Sequence, residues 1–436
     1  MSDLRAPGWA RWSALNALLA SGLLAAGCGN AAPTASPSNA SQGPSSATPI
    51  ATSAPSAPTI ADVAAIYDTI EQQVIEIRGL KPSRLVPRES IDQTRLRTMM
   101  TAEFDRQSPP DYVAATEQLY KALGLIPAGS DLRDLTLDML SGGVVGFYRN
   151  DQGKLYVVSK TGWPGVSERI TFAHEFDHAL QDQNFPVFKD QEGVLDQSDR
   201  LLARQAVYEG DATLLMTLWA AGHFSPQDML AYLALSADPT AQAVLLRTPA
   251  FLRDLLLYPY TTGLSFVQSV ELRDGWAGVD DLYRRMPEST EQILHPDKYA
   301  ARETPIPVAL PPDLADQLGS GWSVPLEDTF GELQIEDWLR ESGVAPATSA
   351  TAASGWGGDR LAVAKGPAGA WGVVIDTAWD TSLDASEFAD AATTAVSRLA
   401  NPTRISSPAG SHVTVLVASS DQALLALDVI FGATGV

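Results

Sequence analysis

His174, Glu175 and His178 stand as H-E-x-x-H within the stretch TFAHEFDHALQDQNF, residues 171–185. On a helix, side chains four apart share a face, so both imidazoles point to one place. Two neutral imidazoles at that spacing can serve as neighbouring ligands of a zinc ion. Glu175 follows the first histidine directly, which brings its carboxylate within reach of a water on such an ion rather than of the ion itself. That is the general-base position of a zinc hydrolase. The chain has 5 histidines and a single cysteine, Cys28. A cysteine-based zinc site is therefore excluded, and any metal must be held by His, Asp and Glu.

The elements that position these groups follow from periodicity. Ile170, Ala173, Phe176, Ala179 and Leu180 recur at helical spacing, with no Gly or Pro between residues 168 and 184. A second long helical pattern covers 199–221 and contains Tyr208-Glu209-Gly210-Asp211-Ala212. A catalytic zinc usually takes three protein ligands, and Glu209 is the candidate for the third. His223 is another, but it sits beside Gly222 and Pro226, where a solvent-facing role is favoured. Asp211 reads equally as a group orienting a ligating histidine and as a solvated helix carboxylate. Gly210 inside a helix costs about 1 kcal/mol relative to Ala, which points to a close helix approach beside Glu209.

The stretch 172–185, followed by Glu209-Gly210-Asp211-Ala212, resembles the gluzincin group of zinc metallohydrolases. More narrowly, it resembles a set of mostly secreted, zincin-like bacterial lipoproteins with A-H-E-x-x-H-A-L-Q-D-Q and E-G-D-A motifs. The resemblance extends over roughly residues 74–436. It implies zinc held by His174, His178 and Glu209, with Glu175 as the base. Tyr258-Pro259-Tyr260-Thr261-Thr262-Gly263 is similar to the P-Y-x-x-G segment of gluzincin aminopeptidases. That similarity implies that Tyr260 donates a hydrogen bond to the oxyanion of a tetrahedral intermediate; a packing aromatic at a helix start is the equal alternative. No G-x-M-E-N segment is present, which argues against an aminopeptidase. The segment 289–296, STEQILHP, is similar to one in the same bacterial set. Its His295 either reaches the cleft as a hydrogen-bond donor or holds a loop.

Elsewhere the pattern predicts helices over 59–77, 111–123 and 131–140. A capping box at Ser90-Ile91-Asp92-Gln93 opens a further helix to about residue 106. Residues 144–148 and 154–158 read as a hairpin just ahead of the His174 helix. In zincins such a strand lines the cleft and pairs with extended substrates; here it reads equally as a plain structural hairpin. Residues 326–339 read as a helix and the Ala/Thr/Ser/Pro stretch 345–354 as a linker. Two paired strands, a helix, a strand and a helix follow, in a small unit whose one histidine, His412, has no catalytic cluster around it.

At the other end, Arg5 and Arg11 precede an apolar run, 14–26, too short to be a good spanning helix. It ends in Leu24-Ala25-Ala26-Gly27-Cys28, which resembles the lipobox of bacterial lipoproteins, with Ala25 where Leu is commonest. The resemblance implies lipidation at Cys28; an ordinary secretory signal is the alternative. Residues 29–58 are nearly all Ala, Ser, Thr, Pro, Gly and Asn, which reads as a disordered tether. Net charge is −22, which excludes nucleic acid as a partner, since phosphate binding needs a basic face.

The expectation is an α+β chain: a signal peptide and lipidation cysteine at 1–28, a tether at 29–58, a mainly helical zincin-like domain with a small hairpin at 59–344, and a small α+β domain at 355–436. The function expected is that of an extracytoplasmic, lipid-anchored zinc hydrolase acting on a peptide or protein. The alternative is a surface binding protein that keeps the fold without activity.

Overall fold

The computed structural model describes residues 60–141, 145–159, 162–185, 196–236, 239–406 and 410–432. Cys28 and the tether lie outside the described residues. Helix α1 (Ile60–Arg78) buries Tyr67, Ile70 and Val74 on one face. Strand β1 (Arg88–Ile91) follows, then α2 (Gln93–Gln107), α3 (Pro110–Ala122) and α4 (Leu132–Ser141). The cap of α2 is Asp92, whose carboxylate accepts from the Arg95 N–H at 2.8 Å. It is not Ser90, because the Ser90 backbone is paired with Val157 in a strand.

Strands β2 (Gly146–Arg149) and β3 (Lys154–Val158) form the expected hairpin, and β1 joins β3 in parallel on its other side. The order β1-β3-β2 makes β2 an edge of this sheet. The Leu155 N–H donates to the Pro87 carbonyl, on the β1 side. Its cross-strand partner Tyr148 therefore turns its own N–H outward from the sheet. Packed on the sheet is α5 (Val166–Asn184), and α5 packs in turn on α6 (Ser198–His223).

The chain then runs through α7 (Pro226–Ser236) and α8 (Pro239–Arg247) to α9 (Ala250–Arg284), which carries Pro259 inside and breaks at Gly275, φ 66°. Short helices α10 (Thr290–Leu294), α11 (Pro296–Ala301) and α12 (Leu314–Leu318) lead to β4 (Ser323–Asp328) and α13 (Gly331–Glu341). The single helix expected over 326–339 is thus a strand and then a helix. The Asp359 carboxylate accepts from the Phe330 and Gly331 N–H groups, both at 2.7 Å, and fixes the turn between them.

The expected linker at 345–354 is instead helix α14 (Pro346–Ala353). Ser349, Ala352 and Ala353 are buried in it, and their small side chains let it pack between α13 and α15 (Ser382–Val396). A composition that reads as flexible is here one that permits close packing. Strands β5 (Trp356–Lys365), β6 (Trp371–Trp379), β7 (Thr403–Ile405) and β8 (His412–Ala418) and helix α16 (Asp421–Phe431) complete the chain. Strand β4 belongs to the same antiparallel sheet, in the order β4-β5-β6-β8-β7. One core cluster joins Tyr120, Phe251, Trp338, Trp356 and Phe388, so the sheet and the helices ahead of it share apolar contacts. The class is α+β. No helix among the described residues is long and apolar enough to cross a membrane.

Candidate metal centre

The site is built where α5, α6 and α9 meet. Helix α5 is buried at every position from Ile170 to Gln181, so its two histidines face protein rather than solvent. Helix α6 is buried equally deeply around Glu209. What allows α6 and α9 to touch is a pair of glycines. A Cβ built on Gly210 would lie 2.4 Å from the Gly263 carbonyl oxygen, and one on Gly263 would lie 2.4 Å from the Ala206 carbonyl oxygen. The close helix approach expected beside Glu209 is present, and its partner is α9.

Three ligand atoms converge there. His174 Nε2 lies 3.2 Å from Glu209 Oε2 and 3.1 Å from His178 Nε2, and the third side, His178 Nε2 to Glu209 Oε2, is 3.3 Å. The triangle is nearly equilateral. A tetrahedral ion with bonds of about 2.0–2.1 Å separates its ligand atoms by roughly 3.3 Å. Size, donor type and burial therefore fit zinc, and two imidazoles disfavour a harder ion.

The three groups are also coupled in charge. Burial alone would raise Glu209, but His178 and His174 outweigh it and take the carboxyl down to about 2. Burial alone would lower His178, but Glu209 outweighs it and pushes the imidazole up to about 10. His174, more dominated by burial, is lowered. The cluster calls for one positive charge among three acceptors, which a divalent cation supplies as well as a proton does.

Glu175 is fully buried and is not part of the triangle. Its Oε2 accepts from the backbone N–H of Tyr148, the outward N–H of edge strand β2, at 2.9 Å. Among the described residues its Oε1 has no hydrogen-bond partner. Burial holds its carboxyl up at about 8 against the pull of His178. The edge of the hairpin is thus already engaged by the carboxylate at Tyr148.

Tyr260 lies inside α9, not at a helix start. Its ring is 6.4 Å from that of His174, centroid to centroid, and burial, then Glu209, push its hydroxyl well above the usual range. The structure therefore brings His174, Glu175, His178, Glu209 and Tyr260 together. It sends two expected residues elsewhere. Among the described residues Asp211 touches neither His174 nor His178: it accepts from Arg78 Nε at 3.0 Å and from the Tyr283 hydroxyl at 2.7 Å. Two residues beyond Glu209, about half a turn around α6, it faces α1 and the far end of α9. His295 lies 2.8 Å from Glu332 at the junction of α10 and α11, which is the loop-holding alternative. His223 is exposed, with Nδ1 2.9 Å from the Trp219 carbonyl oxygen.

Two participants escaped the sequence reading. Gln181 sits 2.9 Å from His178 Nδ1; its spacing of three from the second histidine was the available signal. Arg78 is buried among Asp177, Asp211 and Asp280, and nothing local in the sequence marks it.

A family described as "Domain of unknown function (DUF8575)" matches residues 321–427, the span from β4 to α16 and not the metal cluster. No curated protein matches the chain. Among solved structures, the chain is similar to a provisionally assigned hydrolase with a novel fold from Chloroflexus aurantiacus. Identity is 17%, the TM-score is 0.35, and the match covers 55% of this chain and 88% of that one. A likeness of that size bears on neither fold nor activity.

Proposed function

We propose that this protein is a zinc-dependent hydrolase of peptide bonds, of gluzincin type, with His174, His178 and Glu209 as the metal ligands. The observation that carries the reading is the buried triangle of ligand atoms, 3.1 to 3.3 Å on a side, with a buried carboxylate on the next residue of the same helix. A zinc ion held there supplies Lewis acidity toward a carbonyl oxygen and acidifies water at neutral pH. Glu175 does the proton work. Its Oε2 is held by the Tyr148 N–H, which leaves Oε1 free to take a proton and later to deliver it to a leaving amine. Tyr260 keeps its proton and stands beside the cluster as a hydrogen-bond donor for negative charge developing on a substrate oxygen. The lipobox-like segment ending in Cys28 supports an extracytoplasmic, membrane-anchored location, which fractionation of the Cys28→Ala protein tests: equal solubility with and without the substitution removes it.

The deciding experiment is metal analysis beside peptide hydrolysis. His174→Ala, His178→Ala and Glu209→Ala lose zinc and turnover together. Glu175→Gln keeps zinc and loses turnover by about 10²–10⁴, the usual worth of a general base. Loss of zinc from Glu175→Gln, or full zinc in Glu209→Ala, overturns these roles. Zinc binding with no cleavage across a broad peptide library replaces the enzyme by a surface binding protein.

A further inference from the structure

Gln181 is placed so that its amide can be oriented only one way. Its Nε2 lies 3.1 Å from the Tyr208 backbone carbonyl and 2.9 Å from Asp177 Oδ2. The carbonyl can only accept, so the nitrogen of the amide must face it whatever the protonation of Asp177. The oxygen, Oε1, then faces His178 Nδ1 at 2.9 Å. An amide oxygen cannot donate, so Nδ1 must carry the proton. The lone pair of a neutral His178 is thereby assigned to Nε2, the atom on the triangle.

The lock is itself anchored. Gln181 and Asp177 are both buried, at 2% and 0% exposure. Asp177 Oδ1 lies 4.0 Å from Arg78 Nε, and the same guanidinium makes three hydrogen bonds to Asp211. Tyr208, which fixes the amide, immediately precedes Glu209. One side chain on α5 therefore ties the ring orientation of one proposed ligand to the backbone beside another.

We propose that Gln181 is the positioning residue of the metal centre, acting through His178 by holding its proton on Nδ1 and its Nε2 lone pair toward the ion. The proposal rests on the metal reading given above. Groups that hydrogen-bond a ligating histidine from behind ordinarily change metal affinity about 10–100-fold when removed.

The test compares wild type, Gln181→Leu and Gln181→Glu as full chains. Zinc affinity is read by chelator competition, the visible spectrum after cobalt substitution, and thermal unfolding with the metal removed. Gln181→Leu removes the acceptor for Nδ1–H and should weaken zinc about 10–100-fold and alter the cobalt bands. Gln181→Glu keeps an acceptor for Nδ1–H but cannot donate to the Tyr208 carbonyl when ionised. It should restore zinc affinity to within a few-fold of wild type even where the metal-free protein melts lower. A merely structural glutamine predicts the opposite pairing, with both variants losing affinity in step with their melting temperatures. Wild-type affinity and cobalt spectrum in a folded Gln181→Leu overturn the proposal alone, as does Gln181→Glu failing as badly as Gln181→Leu. A wild type that binds neither zinc nor cobalt overturns the metal reading and this proposal with it.

Discussion

Gly210 and Gly263 meet across the crossing of α6 and α9 with backbone against backbone: a Cβ on Gly210 would come within 2.4 Å of the Gly263 carbonyl oxygen. The obstruction is main chain, which cannot rotate away as a side chain could. Glu209 is one residue from this contact and Tyr260 lies three residues before its other half. Helix proximity and site geometry are therefore one feature. Gly210→Ala and Gly263→Ala should each destabilise the protein toward or beyond the upper end of the about 1–3 kcal/mol typical of overpacking. Gly210→Ala should also lower zinc affinity. Urea unfolding and chelator competition measure both, and a Gly210→Ala protein as stable as wild type would mean that the helices do not touch there.

Arg78 has no solvent exposure of its side chain and faces Asp177, Asp211 and Asp280. Burial works to lower its pKa, but the combined pull of Asp211, Asp177 and Tyr283 outweighs that cost and raises it. Removing one partner of a buried pair leaves the others uncompensated. Arg78→Met should cost about 3–5 kcal/mol in urea unfolding. Arg88→Met, at a partly exposed pair with Glu71, should cost about 1 kcal/mol or less. Equal losses would contradict the special standing of Arg78.

Tyr260→Phe removes a hydroxyl and leaves the ring. If that hydroxyl stabilises charge on the reacting oxygen, kcat should fall by about 10²–10³ while zinc content and KM stay near wild type. Unchanged turnover in a peptide-hydrolysis assay would reduce Tyr260 to a packing aromatic.

His295→Ala should leave zinc content and turnover unchanged, because its partner is Glu332 rather than the cluster. It should lower stability by about 1–3 kcal/mol, since Glu332 is buried and loses a hydrogen-bond partner. A selective loss of turnover with normal stability would return His295 to the active site.

Three buried carboxyls set a pH dependence of stability. Burial raises Asp328 to about 7, Asp337 to about 7 and Asp359 to about 6. Each binds its proton more tightly folded than unfolded, so the stabilisation is complete below about pH 4 and is lost as pH rises through the folded value. The slope is roughly −1.4 kcal/mol per pH unit per group inside its window. The contribution of these groups should fall between about pH 4 and pH 7 and be flat above about pH 8. Melting curves across that range, with Asp328→Asn giving the shallower profile, measure it. A contribution from Asp328 that grows with pH would reverse the assignment.

The sequence alone determined the two helices that carry His174, His178 and Glu209, and that the two histidines face one point. That information is local: His174 and His178 share a face by helical period, and Gly210 in a helix implies close approach. The hairpin of β2 and β3 and the strands β5, β6 and β8 were legible for the same reason, as alternation and turn chemistry are short-range. Tertiary structure decided what depends on groups far apart in the chain. Asp211 pairs with Arg78, 133 residues away, so its backbone neighbours could not reveal that it serves α1 rather than a histidine. Residues 345–354 carry small side chains that suit a flexible linker or a tightly packed helix equally well, and only the presence of α13 and α15 on either side selects the helix. Glu175 could be named from its place beside His174, but that its second oxygen is held by an edge-strand N–H follows only from β2 being laid against α5. Spacing paired His174 with His178, and packing decided what holds them still.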